Sequence, residues 1–321
     1  MQEQANAELK KIDLLLRDIS YNKSMAKIIE AAYGYTTDKA KQDSSTITIS
    51  IKEEKVATNI SGFYALECGL DMICSRTHET PFNVLKTICN NQVDFNTFFL
   101  LDRFANATWK AAQPFKDIKR ITRPTFTIAN FLPYTDLVKD RVQIKNASNK
   151  LLTSLETVKN SNKEEQTQMI KSLMQNQSFT SEMAQTLHAG YYTAQNQKPE
   201  DFLLKQDNTT MISKQTTEQN IAKNIASFYA LECGLSYIAA KENILPSTIM
   251  QSIINDSLYS EYKDLFMRFA NATWKAGQPF TGLKNIEKQN FVPFSLLINN
   301  EKQKDWLLIK ASAEKLLNDM K

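Results

Sequence analysis

The sequence predicts an all-α protein in which one helical unit is present twice. The 321-residue chain contains only seven glycines and eight prolines, and this scarcity of turn-forming residues favours long helices over many short strands. An eight-residue segment that begins at Phe63 is repeated unchanged from Phe228, and a nine-residue segment from Arg103 is repeated from Arg268. Both repeats lie 165 residues apart (228 − 63 and 268 − 103), which indicates a unit built twice.

The repeat divides the chain into two predicted helical domains of similar length, residues 1–158 and 163–321. Each is long enough to bury a core of its own. The polar stretch at 159–165 has no apolar rhythm and is interpreted as a short linker or a solvated stretch of helix. Because duplicated units can descend from a self-associating ancestor, we expect equivalent faces of the two domains to meet as a pseudo-dimer.

Each domain is predicted to contain about five helices. A glycine just past the last apolar position ends the first helix, a proline opens the third, and a proline stops the fourth. The predicted ranges are 5–32 and 165–189 for the first helix, 54–76 and 219–241 for the second, starts near 81 and 246 for the third, 94–112 and 259–277 for the fourth, and starts near 133 and 293 for the fifth.

A strand pattern precedes the second helix. Residues 46–51 alternate strictly between Ser or Thr and Ile, which is typical of a strand, and the corresponding stretch near 209–212 is a weaker match. The pattern allows one short extended segment in each domain, packed on the helices without forming a sheet.

Composition and charge exclude several classes of protein. The net charge of +4 is small and spread along the chain, so nucleic-acid binding is not expected. No apolar run approaches the roughly 18 residues of a membrane-spanning helix. The amino terminus lacks the regions of a signal peptide, which predicts a cytoplasmic protein as the sequence stands, or an exported, periplasmic one if Met1 replaces a removed signal peptide.

Cysteine and histidine give no sign of a metal site or a cofactor. No Cys-x-x-Cys occurs among the four cysteines, and neither His78 nor His188 has a counterpart in the other domain. Each histidine is interpreted as a surface or helix-end residue. Cys74 and Cys89 also lack counterparts, because the second domain carries Ala and Ile there. A disulfide between them and a pair of apolar core positions both fit that observation.

Glycine inside the predicted second helix indicates a close helix crossing. Ala65 and Gly69 lie four residues apart on one face, and Ala230 and Gly234 repeat the arrangement. Glycine costs a helix about 1 kcal/mol relative to alanine, so its presence twice needs a reason. Small residues at this spacing let another helix backbone approach.

The fourth helix carries a polar stripe on one face. At 100° per residue Arg103, Asn106, Lys110 and Gln113 fall within an arc of about 80°, with Trp109 beside them. The second domain repeats the stripe, whereas a plain solvent face would have drifted. The candidate ligand-binding residues are these and their neighbours on the second helix: Tyr64, Glu67, Arg103, Asn106, Trp109, Lys110, Gln113, Tyr229, Glu232, Arg268, Asn271, Trp274, Lys275 and Gln278.

Two interpretations of the stripe remain open. Glu67 lies among apolar residues, so its carboxylate must be paired or protonated. In a structural interpretation Arg103 pairs with Glu67, and Arg268 with Glu232, within a domain or across the interface. In a functional one the stripe lines a pocket or inter-domain cleft for an anionic or carbohydrate-like ligand.

The leading hypothesis for function is a non-enzymatic binding protein that holds a partner protein or a small polar ligand on the stripe or in the cleft. No catalytic residue is assigned. One alternative is a hydrolase-like enzyme whose duplicated Glu/Arg pockets use Glu67 and Glu232 as general bases. The other alternative is a purely structural scaffold.

Overall fold

A computed structural model describes residues 2–34, 46–117, 138–193 and 210–320, which are mostly helical, as the sequence predicts. The helices are α1 (Gln2–Arg17), α2 (Ile19–Gly34), α3 (Ile51–Asn59), α4 (Ser61–Thr77), α5 (Pro81–Cys89), α6 (Phe95–Lys116), α7 (Val138–Ser154), α8 (Lys163–Gln175), α9 (Gln177–Thr193), α10 (Thr216–Glu242), α11 (Pro246–Ile254), α12 (Ser260–Gly277) and α13 (Asn299–Asp319). The strands are β1 (Thr46–Ser50) and β2 (Met211–Gln215). Within these residues no helix is long and apolar enough to cross a membrane.

The predicted first helix of each half is in fact two helices. The break between α1 and α2 lies at Asp18, where the Asn22 Nδ2 amide donates hydrogen bonds to the carbonyl oxygens of Leu16 at 2.7 Å and Asp18 at 2.8 Å. A side chain that competes for backbone groups in this way favours a turn over a continuous helix. The break between α8 and α9 lies at Asn176, whose Oδ1 accepts a hydrogen bond from the Phe179 backbone N–H at 3.0 Å.

The second and fourth helices also differ from their predicted limits. The second is divided at Ile60 into α3 and α4 in the first half, but α10 is continuous in the second. Pro114 does not stop α6, which continues to Lys116. The proline lies in the last turn, where its missing N–H removes a single helical bond. In the second half α12 stops at Gly277 and a short 3₁₀ turn, Gln278–Thr281, follows it.

The two extended segments form a sheet with each other, so the expectation of isolated segments is wrong. Strands β1 and β2 pair antiparallel, with Thr48 opposite Ser213 and their hydroxyl oxygens 3.3 Å apart. Ser50 ends β1 and caps α3 through a reciprocal capping box with Glu53. The chain therefore enters its second helix from a strand edge in a fixed direction.

The core is built on α4, α6, α10 and α12. Helices α6 and α12 pack on each other, α4 packs on both, and so does α10. The Phe104 ring stacks on the Phe269 ring at a centroid distance of 4.2 Å, and Phe115 stacks on Phe280 at 5.5 Å. Both aromatic pairs join residues 165 positions apart, as does the Thr48 and Ser213 contact in the sheet.

The two halves of the chain, before and after about residue 160, are interleaved, because helices of each half pack on helices of the other. Helix α2 packs on α10 and α13, and α1 contacts α11, so the amino-terminal helix pair lies against the second half. Conversely, α9 packs on α3, α4 and α7, and α8 contacts α5. The boundaries 1–158 and 163–321 stay a sequence prediction, while the packing shows that each half contributes a helix pair to the other.

All four cysteines are free thiols, so the alternative of a disulfide between Cys74 and Cys89 does not hold. Cys74 is buried, and Cys89 is partly buried. His78 is exposed at the carboxyl end of α4, in a left-handed conformation with φ of 61°, as expected for a helix-end residue.

The close helix crossings predicted at the repeated glycines generate a test. A Cβ atom at Gly234 would lie 2.3 Å from the Phe266 Cε1 atom in a fully buried ring. Replacing glycine by alanine normally stabilises a helix by about 1 kcal/mol, but forcing an extra group into a packed core costs roughly 1–3 kcal/mol. We expect Gly234→Ala to lower the free energy of unfolding by about 1 kcal/mol, measured by urea denaturation.

The matched control is Gly62→Ala on α4. Its new Cβ would lie 3.2 Å from the Gln143 side chain, a partly exposed group that can shift. We expect this variant to be unchanged or more stable. Equal losses in the two variants would show that glycine at position 234 is not required by packing.

Candidate functional site

The predicted site residues lie at the centre of the molecule, where α4, α6, α10 and α12 meet. Their burial shows that the stripe faces neighbouring helices and not bulk water. The buried members are Tyr64, Glu67, Arg103, Asn106, Lys110, Tyr229, Glu232, Arg268, Asn271, Lys275 and Gln278, and the partly exposed members are Trp109, Gln113 and Trp274.

Two buried ion pairs join the halves reciprocally. The Lys275 Nζ atom lies 2.6 Å from Glu67 Oε2, and Lys110 Nζ lies 2.6 Å from Glu232 Oε2. All four side chains are at most 1% exposed. The predicted pairing of Glu67 with Arg103 is therefore wrong in its cation. The cation that pairs with Glu67 is Lys275, on the other half of the chain. Its counterpart in the first half, Lys110, lies two helical turns after Arg103 on the same stripe.

A cysteine completes each ion pair. The Cys68 Sγ atom lies 3.3 Å from Glu67 Oε2 and 3.5 Å from Lys275 Nζ. Cys233 repeats the arrangement on α10. Burial raises the pKa of Cys68 well above its usual value and that of Cys233 to about 12, so both are neutral thiols near pH 7. They act as small S–H donors in the core, not as nucleophiles.

Burial also governs the charges of the first pair. Desolvation raises the pKa of Glu67, and the Lys275 ammonium opposes that change. Desolvation acts to lower the pKa of Lys275, but the charge and hydrogen bond of the Glu67 carboxylate outweigh it and the pKa is raised. The Glu67 Oε1 atom has no hydrogen-bond partner in the described chain, and the adjoining cavity of about 10 Å³ has room for roughly one water molecule. A substrate would not fit at this carboxylate.

The two arginines of the stripe have different partners. Arg268 donates from Nε to Asp264 Oδ2 at 2.7 Å and from Nη1 to Asp71 Oδ2. Arg103 instead donates from Nη2 to Asn106 Oδ1 at 3.0 Å. The sequence explains the difference, because the positions that correspond to Asp264 and Asp71 in the other half carry Phe99 and Ser236.

This difference leaves Asn271 available in the second half. Asn106 is held by Arg103, whereas Arg268 is occupied by its two carboxylates. The Asn271 side chain is 3% exposed, and its one hydrogen bond to a described residue is a weak contact from Cys68 Sγ at 3.8 Å. Its amide lines a cavity.

That cavity has a volume of about 110 Å³ and is called the Trp274 cavity below. It is enclosed by α2, α10, α12, α13 and the loop before α13. Its lining residues are Tyr33, Lys223, Asn224, Ala226, Ser227, Ala270, Asn271, Trp274, Asn290, Leu297, Glu301, Lys304, Asp305 and Leu308. Sequence reasoning identified two of them, Asn271 and Trp274, and missed the others.

Three acidic or basic side chains on α13 face the cavity. Lys304 Nζ lies 2.6 Å from Glu301 Oε1, so these two charges neutralise each other. Asp305 has no hydrogen bond or ion pair with any residue in the described ranges, and it is partly exposed to the cavity. Desolvation raises the pKa of Asp305 well above its ordinary value, with Lys275 opposing and Glu301 reinforcing the shift.

Two further lysines, one in the cavity lining and one outside it, have no acidic partner among the described residues. Lys223 on α10 makes no ion pair with a described residue, and desolvation lowers its pKa. Lys288, which donates to Gln278 Oε1 at 3.2 Å, has a pKa lowered by burial and by the charge of Lys223. Among the described residues no cluster of three His, Cys, Asp or Glu side chains is placed to hold a metal ion.

The buried ion pairs generate a stability test. Replacing Lys275 by methionine leaves the Glu67 carboxylate buried without its cation, and breaking a buried pair in this way costs about 3–5 kcal/mol. We expect Lys275→Met to lower the free energy of unfolding by that amount, and the double variant Lys275→Met/Glu67→Gln to recover most of it. Chemical denaturation measures both.

The control for this test is Lys315→Met, which breaks the partly exposed pair with Asp319. Such pairs contribute at most about 1 kcal/mol. A loss in Lys275→Met no larger than in the control, or a double variant as unstable as the single one, would contradict an ionised central pair.

Asp305 generates a second test, in which the sign depends on pH. Its pKa is higher in the folded state than in the unfolded state, so its stabilising contribution is complete below the unfolded pKa and is lost as pH rises through the folded one. Asp305→Asn removes this loss. We expect the variant to be more stable than the wild type near pH 8, and the difference to disappear near pH 4.

Asp256→Asn is the matched control with the opposite sign. Hydrogen bonds from Lys310 and Trp306 lower the pKa of Asp256, so its contribution is present at high pH and is lost on acidification. We expect this variant to be less stable than the wild type near pH 8. Urea denaturation across the pH range distinguishes the two, and a destabilised Asp305→Asn at high pH would show that Asp305 has a stabilising partner.

Comparison with protein-family models, with curated proteins and with solved structures found no match to this chain.

Proposed function

We propose that the protein is a non-enzymatic binding protein that holds a small polar ligand in the Trp274 cavity. The observation that carries the proposal is Asn271, a nearly fully buried amide that lines the cavity and is not held by the arginine of its own helix. Polar groups that converge beside an aromatic wall are typical of small-molecule sites. The partly exposed Trp274 ring provides the aromatic wall.

The central carboxylates favour binding over catalysis. Glu67 and Glu232 are each sealed from solvent and bonded to a lysine at 2.6 Å, so neither reaches the cavity as a general base. Their role in the proposal is to fix how α4 and α10 dock against α12 and α6. This role combines the structural interpretation of the stripe with a ligand site at its partly exposed edge.

We also propose that the chain descends from a duplicated helical unit that once paired with a second copy of itself. In a twofold assembly, a residue on the axis meets its own equivalent and off-axis contacts occur in reciprocal pairs. The stacking of Phe104 on Phe269 supports the first feature, and the reciprocal lysine–glutamate pairs support the second. The unit boundaries proposed are residues 1–158 and 163–321.

On this proposal the two halves have diverged in the hydrogen-bond partners of the arginine on the stripe. Asp71 and Asp264 bind Arg268 and release Asn271 toward the cavity, whereas Arg103 and Asn106 bond to each other. The second half is the one proposed to bind the ligand.

A screen of small polar compounds tests the proposal. Amino acids, amines, carboxylates, sugars and polyols are presented to the full chain, and binding is detected by ligand-observed NMR. We expect at least one class to bind, with affinity lowered roughly tenfold or more in Trp274→Leu because an aromatic contact of this kind contributes about 1–2 kcal/mol.

Trp109→Leu is the matched control, because it makes the same change 165 residues earlier on α6. We expect it to retain binding within about threefold, a difference below 1 kcal/mol. Thermal unfolding of both variants checks that each is folded. Absence of binding from every class, or an equal loss in both variants, would contradict a ligand site at Trp274.

A further inference from the structure

We propose that the ligand of the Trp274 cavity is a small zwitterion of the amino-acid class, with its ammonium at Asp305 and its carboxylate at Lys223. This inference rests on the proposed function and narrows it from a small polar ligand to one chemical class. Two charged groups of the cavity lining, Asp305 and Lys223, make no ion pair with a described residue.

The acidic side of the cavity has one carboxylate available. Glu301 is occupied by Lys304 at 2.6 Å, which leaves Asp305 as the acid of the lining that makes no ion pair with a described residue. A ligand ammonium would provide that pairing, and the nearby Trp274 ring could contribute a cation–π contact. The side chain is already partly desolvated, so pairing with an ammonium offsets the cost of that desolvation.

The basic side has an ammonium available. Lys223 lines the cavity and has no acidic partner in the described chain, and the charge of Lys288 lies close enough for Lys223 to lower its pKa. Lys288 is not among the residues that line the cavity, so Lys223 is the lining ammonium without a described acidic partner that a ligand carboxylate would meet. Because Lys288 already donates to Gln278, Lys223 is the more available donor to a ligand carboxylate.

The charges of the lining balance, which favours a zwitterion over a simple cation or anion. Glu301 with Lys304, and Asp305 with Lys223, contribute two negative and two positive charges. Asp305 is partly exposed and Lys223 is exposed, and a ligand with a charge of only one sign would pair with only one of them. A ligand with both charges compensates both.

Size and wall chemistry further restrict the ligand. The volume of about 110 Å³ is close to that of cavities that admit a single small organic molecule. Ala226, Ala270, Leu297 and Leu308 form the apolar part of the lining, and the Asn271 amide lies beside them. A free amino acid with a short aliphatic side chain has this combination of size, apolar body and polar head.

The test uses three probes of one shape. L-leucine carries both charges, 3-methylbutylamine lacks the carboxylate, and 4-methylpentanoate lacks the ammonium. Isothermal titration of the full-length chain measures each. We expect L-leucine to bind at least about tenfold more tightly than either analogue, the factor that corresponds to one charge-assisted contact.

Two variants assign each end of the probe. Lys223→Met should lower the affinity for L-leucine to that for 3-methylbutylamine and leave the affinity for the amine unchanged. Asp305→Asn should lower the affinity for L-leucine to that for 4-methylpentanoate and leave the affinity for the acid unchanged. Lys310→Met and Asp319→Asn make the same changes on α13 outside the cavity lining, and we expect neither to alter binding by more than about twofold, a few tenths of a kcal/mol.

The outcomes separate this inference from the function on which it rests. Equal affinities for the three probes, or no binding of L-leucine up to about 10 mM, would overturn the zwitterion. If another class from the screen binds and Trp274→Leu weakens it, the cavity remains a ligand site with a different occupant. If Lys223→Met lowers the affinity of L-leucine to that of 4-methylpentanoate, and Asp305→Asn lowers it to that of 3-methylbutylamine, the ligand binds in the opposite orientation. The stated assignment of its two ends is then wrong.

Discussion

The architecture depends on two lysine ammonium groups that have no access to water. Each can remain charged in the core only because a glutamate from the other side of the chain lies 2.6 Å away. Removing either partner exposes the other to the full cost of a buried charge, so the helices that carry them are fixed in relative position. Hydrophobic packing alone would tolerate sliding of α4 against α12 or of α10 against α6, whereas a charged pair at this depth tolerates very little.

The same constraint separates the structural part of the polar stripe from the part that is proposed to bind a ligand. Glu67, Lys275 and Cys68 bond to one another and are buried. At the edge of the stripe, Asn271 and Trp274 reach a cavity whose other walls come from α2 and α13. The buried ion pair therefore fixes α12, the helix that carries Asn271 and Trp274 at the cavity.

The sequence was sufficient to predict the helical class, the central helices, and the burial of the repeated polar residues, because each of these follows from local periodicity or identity between the halves. It could not select lysine over arginine as the partner of Glu67, since both lie on one helical face and the choice depends on depth. The Trp274 cavity could not be predicted from the sequence either. Tyr33 and Asp305 come from helices that meet only after the halves interleave, and the fifth helix carries no repeated polar motif.

Interleaving has a kinetic consequence. Helix α2 finds its packing surface on α10 and α13, more than 180 residues further along the chain (34 to 216), so its apolar face stays exposed until those segments have been made and have closed on it. Long-range closure of this kind slows folding and extends the lifetime of partly assembled states. Newly synthesised chains would be exposed to association in trans during that interval, when the helix pair of one molecule can dock on another.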